Sequence, residues 1–356
     1  MSAEDAGRAM CRTRIHALGR VQPDTAAGPR TEVMKDDRFT RRLARAAEQG
    51  RIPDLHGVVA VRDGRVILEY YGEGVDFRLN ESLGRVRFTP ETPHDVRSVT
   101  KSVVGLLYGI ALADGRVPEP HEPLLRHFPE YPDLAGDPRR AALTVGHALT
   151  MTLGFEWNEN VPYTSAANSE IAMELAPDRF RYILERPIVA EPGTRWSYCG
   201  GASALVARLI EKGTGSALAD YARARLFEPL GIGRFEWATG DDGTALAASG
   251  LRLAPRDLLA VARLVLDGGG GIVPASWLAA ALRPHVPISE GRHYGYQWYI
   301  GDTWVGAFGN GGQRIYVAPA LNLAVAVTAG QYDLPDQPTA TVVIDEVILA
   351  GIGRRP

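Results

Sequence analysis

Ser98 and Lys101 stand three residues apart in the segment Val96-Arg97-Ser98-Val99-Thr100-Lys101-Ser102-Val103-Val104-Gly105-Leu106-Leu107. At that spacing on a helix the two side chains share a face and can touch. A hydroxyl beside an amine is a nucleophile beside a candidate base, because a desolvated lysine can release its proton and an arginine cannot. The choice of lysine is itself informative. Lys and Arg together number 39, and only Lys35, Lys101 and Lys212 are lysine, so the other 36 are arginine. Apolar Val99, Val103 and Leu106 predict burial of Lys101, which disfavours its charged form. A helix start acts in the same direction and sets the Ser98 N–H among donors able to hold an oxyanion. With 12 serines and three lysines, such a pair arises by chance in about one chain in ten. The bland alternative is a solvated lysine near a helix start, so the pair needs company elsewhere.

Two later segments supply it. In Glu191-Pro192-Gly193-Thr194-Arg195-Trp196-Ser197-Tyr198-Cys199-Gly200-Gly201, Tyr198 sits where a loop meets an apolar helix. A tyrosine there can shuttle a proton between nucleophile and leaving group, although a lone tyrosine is more often structural. Gly309-Asn310-Gly311-Gly312-Gln313 leads into a strand, where glycine marks close approach of a ligand or another backbone. The N–H of Gln313 is a candidate second oxyanion donor, and a plain hairpin turn is the competing reading. Cys199 reads as a small buried residue at a helix start rather than a nucleophile.

In order and spacing these segments resemble the serine β-lactamase and penicillin-binding-protein superfamily, which carries S-x-x-K, then Y-x-N, then K/H-x-G on a late strand. The likeness runs from about Phe39 to the C-terminal helix and is closest to the class C-like esterase branch, that of 6-aminohexanoate-dimer hydrolase and similar esterases. Met151–Trp157 looks like the family's approach to the active-site rim, and Arg252–Leu266 like its helix before the last strands. The resemblance implies an acyl-enzyme on Ser98, Lys101 as base, Tyr198 in proton relay, and an oxyanion hole of the Ser98 and Gln313 N–H groups. Asn310, Gly311, Gly312 and Gly200 then border the substrate, with Tyr163 and Trp298 nearby from an aromatic group that includes Trp157 and Tyr296. Two positions depart from the pattern. Gly200 replaces the asparagine of Y-x-N, and Asn310 replaces the lysine or histidine of the late strand. A neutral amide cannot pair with a substrate carboxylate, which points away from β-lactams and D-Ala-D-Ala peptides. A serine hydrolase of small esters or amides is the leading reading. An acyltransferase and a slowly acylating binding or sensor module use the same nucleophile.

These residues need elements to hold them. Helical periodicity predicts helices at 37–48, 99–113, 201–213, 217–227, 256–266 and about 338–350. Gly57–Tyr71 reads as a hairpin about Asp63-Gly64, and strands are expected at 294–301, 303–308, 313–317 and 323–328. Strands at both ends with helices between imply an α+β fold: an antiparallel sheet from 36–96 and 286–356, flanked by helices, and a mostly helical region over 97–285. Residues 1–35 read as a flexible extension. A net charge of -3 and a pI near 6.3 disfavour a nucleic-acid binder. The absence of an apolar leader and the short apolar run 103–113 disfavour a secretory signal and a membrane span. Two cysteines, Cys11 and Cys199, fit a reducing cytoplasm. The eight histidines form no metal-ligand pattern, no serine stands in G-x-S-x-G, and no cofactor is implied.

Overall fold

Alternation with a period of two sets the architecture of this chain, whose computed structural model describes residues 37–353; the extension at 1–35 lies outside them. In strand β1 (Leu55–Arg62), Val59 and Val61 point into one apolar layer and Val58 and Ala60 into the other. The same alternation recurs in the strand Leu323–Ala329, where Ala324 and Ala326 face the first layer and Leu323, Val325 and Val327 the second. Both strands are therefore central and covered on both faces.

The sheet has eight strands in the order β2-β1-β13-β12-β11-β10-β9-β8, with neighbours antiparallel. They are β1, β2 (Arg65–Tyr71), β8 (Val286–Ser289), β9 (Arg292–Tyr294), β10 (Tyr299–Gly301), β11 (Val305–Gly309), β12 (Gln313–Ala318) and β13 (Leu323–Ala329). One face is covered by α1 (Asp37–Glu48) through Phe39, Leu43 and Ala46, together with the C-terminal helix. On the other face lie α2 (Val99–Ala113), α3 (Ser169–Glu174), α4 (Gly200–Thr214) and α5 (Pro255–Leu266); the C-terminal helix is α6 (Pro338–Val342), prolonged by wide turns through Val343–Leu349. A second hairpin, β3 (Glu73–Arg78) with β4 (Glu81–Arg87), and a small sheet β5-β7-β6 (His94–Asp95, Leu251–Leu253, Glu236–Trp237) complete the strands.

Helix α2 is buried all round from Val99 to Ala111, and apolar beyond its first turn, as a helix through the middle of a core must be. Its boundaries match the periodicity. The strand expected at 294–301 is instead two strands broken at Gly295–Trp298. Gln297 adopts φ 66° there, its N–H donates to Leu149 O at 3.0 Å, and its carbonyl accepts from Ser102 Oγ at 2.6 Å. Gln297, buried in this break, ties α2 to the sheet through its carbonyl and α4 through its side chain, since Ser203 Oγ donates to Gln297 Oε1 at 2.5 Å. Among the described residues, no helix is long and apolar enough to cross a membrane.

Candidate active site

The turn Asp95-Val96-Arg97 presents Ser98 at the head of α2. Arg97 holds φ 47°, a left-handed conformation that costs a residue with a side chain about 1–2 kcal/mol. Asp95 stabilises it: its carboxylate accepts from Arg97 N at 3.0 Å and Leu79 N at 2.7 Å, and pairs with Arg97 Nε at 3.2 Å. Val96 N donates to Leu251 O at 3.1 Å, which fastens the turn to β7. The next turn is clamped by Thr100 Oγ1, donating to Arg97 O at 2.6 Å.

Lys101 is 1% exposed, and its Nζ lies 3.1 Å from Ser98 Oγ. Nζ also donates to Ala248 O at 2.9 Å and lies 3.4 Å from Glu170 Oε2. Three acceptors surround it, the number that an ammonium has donors. The ring of Tyr198 sits 4.8 Å from the same Nζ. Burial pushes the Tyr198 phenol well above its ordinary 10, so it keeps its proton at neutral pH. The structure thus brings Ser98, Lys101 and Tyr198 within one group of contacts.

It also brings in carboxylates that the sequence reading missed. Glu170 is 2% exposed, near the start of α3, whose cap Asn168 accepts from Glu170 N at 3.0 Å. Its second oxygen accepts from Ser249 Oγ at 2.8 Å. Glu159, half-buried in the preceding loop, accepts from Trp157 Nε1 and Gly200 N at 2.5 Å and from Tyr163 OH at 2.9 Å. Burial, reinforced by the Glu170 charge, pushes the Glu159 carboxyl up from 4.5 to about 7. No periodicity marks these positions, since Trp157–Asn168 is loop; the one local signal is Asn168 ahead of Ser169-Glu170 as a helix cap.

The Glu159 shift has a sign that stability measurements can read. Between pH 4.5 and about 7 the folded chain keeps a proton on Glu159 that the unfolded chain has released. Stability from this group is therefore greatest below pH 4.5 and falls as pH rises to about 7. Denaturant midpoints measured from pH 5 to 7.5 should fall less steeply in Glu159→Gln than in the parent. Equal slopes would assign the titration to another group.

The third segment packs on the turn before Ser98 from β11 and β12. A Cβ on Gly309 would stand 2.3 Å from Val96 O, so only glycine lets the two backbones pack this closely. Gly311 and Gly312 follow at φ 90° and 91°. The Gln313 side chain is bound in both directions to Ala329, donating from Nε2 to its carbonyl at 2.6 Å and accepting from its N–H at 3.2 Å. The Asn310 amide is engaged away from Ser98: Nδ2 donates to Asp333 Oδ1 at 2.5 Å, and Oδ1 accepts from Gln337 Nε2 at 2.7 Å. Tyr163 lies in the carboxylate layer through Glu159, whereas Trp298 is wholly buried in the core and lines no open surface. Tyr296 stacks on Trp277 and His285. Cys199 is buried, and burial pushes its thiol far up, which leaves it inert as a nucleophile.

Comparison with known proteins places this geometry in context. Residues 39–348 match the family model described as Beta-lactamase. The 6-aminohexanoate-dimer hydrolase of Paenarthrobacter ureafaciens is 26% identical over 349 residues, covering 90% of this chain and 83% of that protein. Among solved structures, EstCE1, a hydrolase with promiscuous acyltransferase activity, superposes with a TM-score of 0.71 at 15% identity, over 88% of this chain and 97% of that one. A mutant of simvastatin synthase from Aspergillus terreus gives 0.64 at 18% identity, over 88% and 94%. At such identities the two structures speak for the fold alone.

Proposed function

The chain belongs to the beta-lactamase family, and from that premise we propose that it is a serine hydrolase that opens a small ester or amide through an acyl-enzyme on Ser98. The observation that carries this reading is the buried contact of Lys101 Nζ with Ser98 Oγ at 3.1 Å, with the Tyr198 ring 4.8 Å from the same Nζ. Lys101 accepts the Ser98 proton in its neutral form. Ser98 Oγ then bonds to the substrate carbonyl carbon, and the C=O electron pair moves to an oxyanion facing the Ser98 and Gln313 N–H groups. Collapse of that adduct expels the alcohol or amine, which takes a proton through Tyr198, and water repeats the sequence in reverse to free Ser98.

The decisive experiment is intact-protein mass after exposure to a fluorophosphonate, with Ser98→Ala as control. A single adduct on the parent that the variant lacks is the expected result; an adduct on both, or on neither, sinks the proposal. Acyl transfer proceeds through the same intermediate, and product analysis with an added alcohol separates it from hydrolysis. Substrate preference is open to test as well. Asn310 is neutral, and its amide is already engaged by Asp333 and Gln337. Turnover of a chromogenic cephalosporin should fall below that of a short nitrophenyl ester by at least about tenfold, the scale of one lost charge-assisted hydrogen bond. Equal rates would contradict the assignment to neutral substrates.

A further inference from the structure

Gly200 is the first residue of α4, and its backbone conformation is one that any residue adopts, so its lack of a side chain is not explained by φ. Space explains it. A Cβ at position 200 would stand 2.4 Å from Glu170 Oε2, 3.0 Å from Glu170 Cδ and 3.1 Å from Glu159 Oε1. The volume beside Tyr198 that a side chain at 200 would enter is therefore filled by a carboxylate reaching across from α3. That carboxylate is fixed on both oxygens, by Lys101 Nζ at 3.4 Å and by Ser249 Oγ at 2.8 Å. Position 200 is also where the resembling family has the asparagine of Y-x-N.

We infer that Glu170 is a positioning residue that takes the place of the side chain missing at Gly200 and holds Lys101 Nζ against Ser98. The inference rests on the hydrolase reading above. Glu170 and Gly200 form one exchanged pair: the carboxylate needs the glycine to make room, and the glycine needs the carboxylate to partner the lysine. An uncompensated Lys101 would be a buried charge without a counter-charge, its amine held only by Ser98 Oγ at 3.1 Å and Ala248 O at 2.9 Å and free to turn about them. The titratable groups facing Glu170 are Lys101 from α2, Glu159 and Tyr163 from the loop before α3, Glu174 on α3 itself and Tyr198 before α4.

Reciprocity is what the test must read. On the full chain, Glu170→Ala and Gly200→Asn are each expected to lower kcat for a nitrophenyl ester by about thirtyfold with KM little changed, as misplacing a catalytic group does. The double variant, in which an asparagine enters the vacated space, should recover at least about tenfold over either single variant, because contacting sites are not additive. Removing the carboxylate also takes away the ammonium's counter-charge, so the acid limb of kcat/KM should move to lower pH in Glu170→Ala and in the isosteric Glu170→Gln. A purely structural role would lower melting temperature and leave that limb in place. Circular dichroism checks folding; if Glu170→Ala fails to fold, Glu170→Gln carries the kcat and pH readouts alone. A double variant no faster than the slower single variant, or Glu170→Gln with parental kcat and an unmoved acid limb, overturns the inference. Fluorophosphonate labelling of Ser98 in the parent distinguishes that failure from failure of the hydrolase reading, in which Ser98 is not labelled and both fall together.

Discussion

Replacing Lys101 with arginine is expected to lower kcat/KM on a nitrophenyl ester by at least about a hundredfold, the lower range for a lost general base. Arginine keeps the charge, so it preserves the pairing with Glu170 that Nζ makes at 3.4 Å. It also keeps donors for Ser98 Oγ and Ala248 O. What it removes is the capacity to be neutral, since a guanidinium does not release its proton in a protein. The substitution thus separates two roles that the resting geometry leaves joined. If Lys101 served only as a fixed cation beside the oxyanion, the arginine variant would retain turnover near the parental rate. If it accepts the Ser98 proton, the variant folds and binds but does not acylate. Lys101 is 1% exposed, so the bulkier fork presses on its neighbours and lowers the melting temperature. Lys101→Met combined with Glu170→Gln controls for that, because it fits the space and leaves no buried charge unpaired. Loss of ester turnover in both folded variants is the expected outcome, and near-parental kcat/KM in the arginine variant refutes the base.

The parts of this site that were legible in sequence are those carried by local pattern. Ser98 and Lys101 share a helix face by spacing alone, and α2 begins and ends where periodicity places it, at Val99 and Ala113. Tyr198 at a loop–helix junction and the glycines of 309–312 were visible for the same reason: each is a short-range signal. The carboxylates were not. Glu170 meets Lys101 across 69 positions of chain, and Glu159 reaches Gly200 from a loop with no period to read. Gly200 was visible as a departure from Y-x-N, yet its cause lies on α3 and only the fold joins the two. The same limit hid the β3–β4 hairpin, whose register shifts at Asp76/Phe77 and whose turn places Leu79 at φ 51° with no glycine or Asn-Gly signal. It also hid the break between β9 and β10, where an apolar, aromatic run reads as one strand but Gln297 is pulled inward to donate to Ala148 O and Leu149 O at 3.2 and 3.1 Å. Long-range polar contacts override local propensity in each case.

Strand β11 offers the sharpest test of how the sheet and the nucleophile turn are registered. Gly309→Ala is expected to lower kcat by about a hundredfold, the effect of displacing a reacting group by roughly an ångström. The added Cβ would stand 2.3 Å from Val96 O and 3.0 Å from Gln313 Cβ. Neither neighbour can yield cheaply. Val96 is held at both ends, its N–H donating to Leu251 O at 3.1 Å and its carbonyl accepting from Val99 N at 3.2 Å in the first turn of α2. Gln313 is fastened through its side chain to Ala329. The movement therefore falls on the strand turn 309–312, which must retreat from the Val96 turn and misalign the Gln313 N–H that follows it. A stability loss of about 1–3 kcal/mol accompanies this overpacking, so activity and stability have to be read apart. Gly64→Ala is the control. Gly64 sits at φ 74° in the distant β1–β2 turn with nothing near its missing Cβ, so alanine there strains only the backbone, costs about 1 kcal/mol and leaves kcat at the parental value. Comparable melting losses in the two variants with kcat lost only in Gly309→Ala would tie the oxyanion geometry to the β11–Val96 contact. Parental kcat in a destabilised Gly309→Ala would show that the strand turn does not set it.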